Sequence, residues 1–257
     1  MDVLIISLVT FFAAILTFFS GFGLGTILTP VMILYFPVEL AISFTGIVHF
    51  LNNIFKIFLI GNHVNKEVLV RFGLPAILSA LIGSYILFQL DNNIIIYSYE
   101  LFGNIMEVQL LKFVISILLL IFALIDLIPF FNKLNFEKKS LPLGGILSGF
   151  FGGLTGNQGA LRSAFLIKSG LNKREFIGTT VVISLLVDIS RISVYSSNLI
   201  EYNISSYYLL GFFAISSGIS GSILGNILLK KITLELIQII VAVLIMLIGL
   251  GLLIGVI

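Results

Sequence analysis

Cysteine is absent from this chain of 257 residues, and charged side chains are scarce. Without cysteine the chain has no disulfide, no thiolate nucleophile and no Cys-ligated zinc or iron–sulfur site. Asp, Glu, Lys and Arg make up 10% of the residues, whereas a soluble domain carries about 25%. The formal net charge of +2 is too small to indicate nucleic-acid binding. The composition is therefore not that of a soluble protein.

Apolar residues dominate instead, at 59% of the chain with a mean hydropathy of +1.20. Runs of roughly 20 apolar residues recur, each long enough for a hydrocarbon core of about 30 Å. We therefore predict an all-α integral membrane protein that crosses the cell membrane several times. Eight apolar segments cover about 3–36, 40–60, 68–90, 110–131, 141–168, 175–197, 206–229 and 233–256.

Glycine interrupts two of these segments, the first at 20–25 and the fifth at 148–159. Irregular backbone at membrane depth is tolerated only where protein or a wet cavity receives its polar groups. Two such interruptions, one in each half of a chain, are typical of transporters whose substrate site lies at the interface of two repeats.

Basic residues in short loops mark the cytoplasmic side of a membrane protein. Here they flank four connections, which include Lys66 and Arg71, Lys138 and Lys139, Lys173 and Arg174, and Lys230 and Lys231. Eight simple crossings would place the loops before and after segment five on opposite sides, although both are basic. The conflict disappears if segments one and five are re-entrant hairpins. The alternative is eight full crossings with a weak charge bias.

The hairpin interpretation makes the chain a single transmembrane domain, 1–257, of two inverted repeats. Repeat one covers about 1–131 and repeat two about 141–257, each a glycine-broken hairpin followed by three transmembrane helices. The halves align weakly. The aligned pairs are Gly25 with Gly159, Thr45 with Thr180, Asn53 with Asp188, and Lys56 with Arg191.

The two breaks are candidates for an anion site. A helix that restarts after Gly25 or Gly159 points free N–H groups toward the membrane centre, and helix N-termini bind anions. Arg162 follows in the first turn, where its guanidinium can pair with an oxyanion. The alternatives are a packing kink for the glycines and snorkelling to the membrane surface for Arg162. The candidate residues are Gly23, Gly25, Thr26, Gly156, Asn157, Gln158, Gly159 and Arg162.

Polar stripes on segments two and six are also candidates, because such stripes normally face a cavity rather than lipid. His49 is a candidate carrier of a coupled proton. Asp188 and Arg191 have the spacing of a helical ion pair, so a purely structural role stays open. The candidates are His49, Asn52, Asn53 and Lys56 on segment two, and Asp188 and Arg191 on segment six. Gly83 and Gly221 belong to small-residue faces that predict close helix packing.

Three stretches resemble the TauE/SafE family, also called sulfite exporters or toluene sulfonate uptake permeases. They are 20–30, 37–41 and 149–165, and the likeness covers nearly the whole chain. The resemblance implies transport of small sulfur-containing anions such as sulfite or organosulfonates. The family often has Gly-Gly-Gly and a proline after the second break, where this chain has Asn157-Gln158-Gly159 and Ala164. The departure falls on the presumed binding turn, so it bears on the substrate.

We therefore expect a secondary transporter that moves a small anion, a sulfur-containing oxyanion or organosulfonate, by alternating access. The expected partners are that anion, the lipid bilayer and a coupling ion, either a proton or sodium. We expect no enzymatic activity, cofactor, resident metal or nucleic acid, and homo-oligomerisation stays open. The alternatives are a small-ion channel and a membrane scaffold without transport.

Overall fold

The computed structural model is mostly helical, as the sequence predicts. It describes residues 2–20, 24–60, 63–90, 94–101, 103–127, 138–166, 169–201, 207–228 and 234–256. Gly23 lies outside these residues. The helices are α1 (Asp2–Ser20), α2 (Gly25–Ile33), α3 (Val38–Ile60), α4 (Lys66–Val68), α5 (Leu74–Gln89), α6 (Leu110–Leu127), α7 (Leu141–Thr155), α8 (Gly159–Leu166), α9 (Lys173–Glu201), α10 (Tyr208–Leu228) and α11 (Leu234–Leu253).

Four helical stretches are long and apolar enough to cross a membrane. They are Val38–Ile60, Lys66–Gln89, Lys173–Ser196 and Tyr208–Leu228. The second is α4 and α5 joined by a π-helical turn, Leu69–Gly73. Three further apolar stretches are shorter, at Asp2–Phe18, Leu110–Ile125 and Ala242–Leu253. The chain is therefore a helical membrane protein, with fewer full-length helices among the described residues than the six plain crossings that we expected.

Both glycine breaks end a helix and start a new one. Segment one divides into α1 and α2, and segment five into α7 and α8. Gly156 ends α7 at φ +75°, a left-handed conformation that glycine adopts without strain, and its N–H bonds to the carbonyl of Gly152. The chain then reverses. A Cβ on Gly144 would lie 2.4 Å from the Phe165 ring, so the start of α7 lies beside the end of α8.

A two-stranded antiparallel sheet is an addition to the mostly helical fold, which fits the all-α expectation. Strand β1 (Ile95–Leu101) pairs with β2 (Asn104–Gln109) in the connection between α5 and α6. Isoleucine and tyrosine favour strands, and Gly103 takes φ +79° in the turn. The Tyr97 hydroxyl donates to the Leu253 carbonyl at 2.6 Å, which holds the sheet against the end of α11.

Glycines let the backbones of α5 and α7 approach closely. Gly145, Gly149 and Gly153 recur every four residues on α7. Cβ atoms on them would lie 2.2, 2.1 and 2.3 Å from the carbonyl oxygens of Phe72, Ala76 and Ala80. Residue numbers rise together along this contact, so the two helices are parallel. Small residues at this spacing allow tight packing in lipid, where van der Waals contact replaces the hydrophobic effect.

The pairing of α1 with α10 follows the same principle. A Cβ on Gly221 would lie 2.3 Å from the Phe11 carbonyl oxygen, and one on Gly225 would lie 3.1 Å from that of Ile15. These helices are also parallel. The contacts confirm the packing role predicted for Gly83 and Gly221, because Gly83 likewise abuts the Phe150 carbonyl. The remaining large helix contacts join α3 to α9 and α6 to α11.

Several helix ends that adjoin the basic loops lie close together in the structure. Val68, Leu141 and Leu166 share one apolar cluster, which joins the end of α4 and the start of α7 to the end of α8. A Cβ on Gly178 would lie 2.7 Å from the His63 carbonyl, so the start of α9 adjoins the end of α3.

Gly149→Ala should destabilise the protein, because its Cβ would meet the Ala76 carbonyl at 2.1 Å. Overpacking of this kind costs about 1–3 kcal/mol. Gly211→Ala is the matched control, since its Cβ would find ordinary contact, 3.6 Å from Phe44. The thermal midpoint in detergent is measured by size-exclusion chromatography of heated samples. It should fall by several degrees for Gly149→Ala and stay unchanged for Gly211→Ala. Equal midpoints would contradict the close α5–α7 packing.

Candidate functional site

The two glycine breaks meet inside the protein. A Cβ on Gly25 would lie 2.9 Å from the carbonyl oxygen of Gly156, so nothing larger than glycine fits there without movement. Thr26 Oγ1 donates to Asn157 Oδ1 at 3.0 Å. The structure therefore brings the start of α2 and the turn between α7 and α8 into direct contact, although they are far apart in sequence.

The turn between α7 and α8 is held by its own polar groups. Ser148 Oγ donates to the Gln158 carbonyl at 3.0 Å, and the Asn157 N–H donates to Thr155 Oγ1 at 3.1 Å. Helix α8 begins at Gly159, and its first helical hydrogen bond runs from the Arg162 N–H to the Gln158 carbonyl. The positive end of the α8 dipole thus lies at the buried turn, as an anion site requires.

Asp188 is the centre of a buried polar cluster that joins α3 to α9. His49 Nδ1 lies 2.7 Å from Asp188 Oδ2, and Asn53 Nδ2 donates to the same oxygen at 3.1 Å. Arg191 binds the other oxygen through Nε at 2.9 Å and Nη2 at 2.8 Å. All four side chains are almost fully buried. The Asp188–Arg191 pair suggested by the spacing is confirmed, whereas Asn53 bonds to Asp188 and not to Lys56.

Arg191 extends from this cluster to the turn after α7. A Cβ on Gly156 would lie 3.2 Å from Arg191 Nη1 and 2.9 Å from Thr29 Oγ1. A Cβ on Gly46 would lie 3.4 Å from Arg191 Cζ. Glycine at 46 and 156 therefore leaves room for the guanidinium between α3 and the turn.

A small cavity, here called the inner cavity, is lined by two further cationic side chains. Lys56 and Arg162 line it together with His49, Asn53, Thr180 and Ser184. Both cations are at least 97% buried, and no Asp or Glu is among the described residues that line the cavity. Lys56 Nζ lies 5.5 Å from the centroid of Phe18, a cation–π contact. About 10 Å³ is open to the centre of a water-sized sphere, which is room for about one water.

Several buried polar atoms have no hydrogen-bond partner among the described residues, and they lie near the meeting point of the breaks or, for Thr180, at the inner cavity. Such atoms cost about 1–3 kcal/mol each, and most proteins contain few, so a cluster needs an explanation such as a ligand or an ion. The atoms are Thr29 Oγ1, Thr45 Oγ1, Asn157 Nδ2, both amide atoms of Gln158, and Thr180 Oγ1.

Asn52 contacts α10 through its side chain. Its Oδ1 accepts a hydrogen bond from Ser222 Oγ at 2.8 Å, which directs the side chain toward α10. His49, Asn53 and Lys56 line the inner cavity, whereas Asn52 is bonded to Ser222. A residue three positions after His49 can face either the inner cavity or the neighbouring helix, and the hydrogen bond with Ser222 holds Asn52 toward α10.

Sequence reasoning missed three residues at this site. Thr17 and Phe18 line the inner cavity from the end of α1. The Tyr195 hydroxyl donates to the Gly153 carbonyl near the turn after α7. Tyr195 follows Arg191 by four residues and Asp188 by seven, so helical spacing could have placed it on the same face.

Comparison with known proteins identifies a family. The family model described as Sulfite exporter TauE/SafE matches residues 6–252. No curated protein and no solved structure matches the chain significantly. The matched range includes both glycine breaks, the Asp188 cluster and both cations of the inner cavity.

Asp188→Asn should lower stability strongly, because it leaves the buried Arg191 charge without a carboxylate. Breaking a buried ion pair costs about 3–5 kcal/mol, which corresponds to a fall in thermal midpoint of roughly 6–20 °C. Thr45→Val is the contrasting variant. It removes a buried hydroxyl with no partner among the described residues, so the midpoint should hold or rise. A stable Asp188→Asn protein would show that the carboxylate is not needed for folding.

Proposed function

Because the chain belongs to the sulfite exporter TauE/SafE family, we propose that it is a secondary transporter of a small oxyanion, sulfite or an organosulfonate. The substrate site is the region where the two breaks meet, with the inner cavity on one side. The observation that carries the proposal is the excess of buried positive charge there. Lys56, Arg162 and Arg191 are almost fully buried, and Asp188 forms an ion pair with Arg191.

An uncompensated cation inside a membrane protein is costly and usually marks function. Asp188 satisfies Arg191 through two short contacts. No ion pair joins Lys56 to a described Asp or Glu, and its recorded neighbour is the Phe18 ring. A bound anion in the inner cavity would supply negative charge beside Lys56, in a cavity that Arg162 also lines. The substrate would then be held by charge without a metal.

The uncharged groups fit an oxyanion as well. Sulfite and sulfonate have three oxygens, each of which accepts hydrogen bonds, and a guanidinium can bind two of them at once. Hydroxyl and amide donors from Thr29, Thr45, Asn157 and Gln158 near the meeting point, and from Thr180 at the inner cavity, have no hydrogen-bond partner among the described residues. These donors can replace the hydrogen bonds that water makes to the anion in solution. The start of α8 adds its dipole.

We further propose that the chain is built of two inverted repeats with hairpins at α1–α2 and α7–α8. Exchanging the halves maps α1 on α7, α3 on α9, α5 on α10 and α6 on α11. Under this exchange the α1–α10 contact becomes the α7–α5 contact, and α3–α9 and α6–α11 map onto themselves. The Gly144–Phe165 contact supports the second hairpin. Alternating access follows if the halves rock about the α3–α9 contact.

The inner cavity has room for about one water, so an oxyanion enters only after the surrounding helices move. This closure favours a transporter over the alternative of an open small-ion channel. A transporter accumulates substrate against a gradient when a coupling ion, a proton or sodium, is supplied. A channel does not, so uptake assays in liposomes separate the two.

Arg162→Gln should reduce uptake of the true substrate by about 10-fold to 150-fold, because a charged hydrogen bond is worth about 1.5–3 kcal/mol. Arg162→Lys should keep part of the activity. The assay is uptake by proteoliposomes across sulfite, taurine, sulfoacetate and thiosulfate. Arg71→Gln is the control, since this arginine is exposed and pairs with Glu67 at 3.4 Å. Unchanged uptake by a folded Arg162→Gln protein would exclude the assigned role.

Single cysteines test the hairpins, because the native chain has none. Lys139→Cys and Arg174→Cys lie before and after the α7–α8 pair, and both positions are exposed. The hairpin proposal expects an impermeant thiol reagent to reach both from the cytoplasmic side. Tyr35→Cys, between α2 and α3, should react only from the other side. If residues 139 and 174 are labelled from opposite sides, segment five is a full crossing.

A further inference from the structure

A second cavity, of about 620 Å³, lies where the ends of α3 and α10 meet the start of α9. We propose that this cavity is a cytoplasmic vestibule that concentrates the small oxyanion, and that Ile177 is the gate between it and the inner cavity. The inference rests on the proposed anion transport and adds to it a second binding place and a closing residue.

The vestibule has the charge that an anion needs. Lys173 and Arg174 line it from the first turn of α9, and His63 and Asn226 line it from the neighbouring helix ends. No Asp or Glu is among its described lining residues. The nearby Glu175 carboxylate accepts from the Asn172 N–H at 3.0 Å, which ties it to the helix start. A concave wall of one charge sign focuses the electrostatic field and raises the local concentration of counter-ions.

Ile177 is the residue common to both cavities. It lies one turn after Lys173 on α9 and is 2% exposed. One face of α9 then continues at helical spacing from Ile177 through Thr180 and Ser184 to Asp188. An anion that moved along this face would leave the vestibule, pass Ile177 and reach Lys56 and Arg162. The apolar side chain closes that route, since the space beyond it holds about one water.

Cysteine accessibility tests the vestibule without any transport assay. Asn226→Cys reports on the vestibule and Thr180→Cys on the inner cavity, both in the natural cysteine-free chain. Methanethiosulfonates that carry a sulfonate, a trimethylammonium or no charge are applied to the cytoplasmic face in phosphatidylcholine vesicles. For each charged reagent, the labelling rate at Asn226→Cys is divided by the rate of the neutral reagent. This ratio should be about 10-fold higher for the sulfonate reagent than for the trimethylammonium reagent.

Lys173→Gln combined with Arg174→Gln should remove most of this charge preference and leave the neutral reagent unaffected. Lys138→Gln combined with Lys139→Gln is the matched control, because these lysines are exposed and do not line the vestibule. Equal rates for the two charged reagents, or an equal effect of the control pair, would overturn the vestibule. Loss of sulfonate labelling in vesicles that contain phosphatidylglycerol would also overturn the vestibule, because it would indicate that a lipid phosphate occupies the cavity.

The gate is tested at Thr180→Cys. Ile177→Ala should raise the labelling rate at position 180 at least several-fold and leave that at Asn226→Cys unchanged. A folded Ile177→Phe variant should have a lower labelling rate at position 180. If Ile177→Phe does not fold, the Ile177→Ala variant alone tests the gate. An unchanged rate at 180 in Ile177→Ala would overturn the gate. If Arg162→Gln retains full uptake while the charge preference persists, the proposed substrate site fails and the vestibule stands.

Discussion

The carboxylate of Asp188 is the interaction on which the centre of the protein depends. It receives His49 and Asn53 from α3 and Arg191 from its own helix, so one buried group joins the central helices of both halves. Removing it would leave a guanidinium and an imidazole without compensation in a medium that offers no water. Because Arg191 is thereby held against the turn after α7, the same carboxylate also fixes part of the wall around the meeting point of the breaks.

Helix packing and the central site use small residues for opposite purposes. Along α5–α7 and α1–α10, glycine brings backbones together until no space remains. At the centre, Gly25, Gly46 and Gly156 make room for polar groups whose hydrogen bonds are incomplete among the described residues. The protein thus combines close glycine contacts between helices with a polar centre, and we infer that stability comes mainly from the helix packing.

Much of this arrangement follows from the sequence, and the exceptions have physical causes. The glycine breaks and the Asp188–Arg191 spacing are local patterns, and each predicts a feature that the structure contains. The sheet of β1 and β2 was missed because its apolar residues follow a membrane segment and its support, the end of α11, is distant in sequence. The hydrogen bond between Asn52 and Ser222 could not be predicted, because helical spacing along α3 does not show which residue of α10 lies opposite.

The pairing of α1 with α10 and of α5 with α7 has a consequence for synthesis. Each broken segment lies against a helix from the other half of the chain, so neither half can complete its own packing. When α1 leaves the ribosome, the glycines that it needs at 221 and 225 have not yet been translated. The first half must therefore wait in the bilayer with its tightest contact surface open to lipid, and folding is completed late, from long-range contacts.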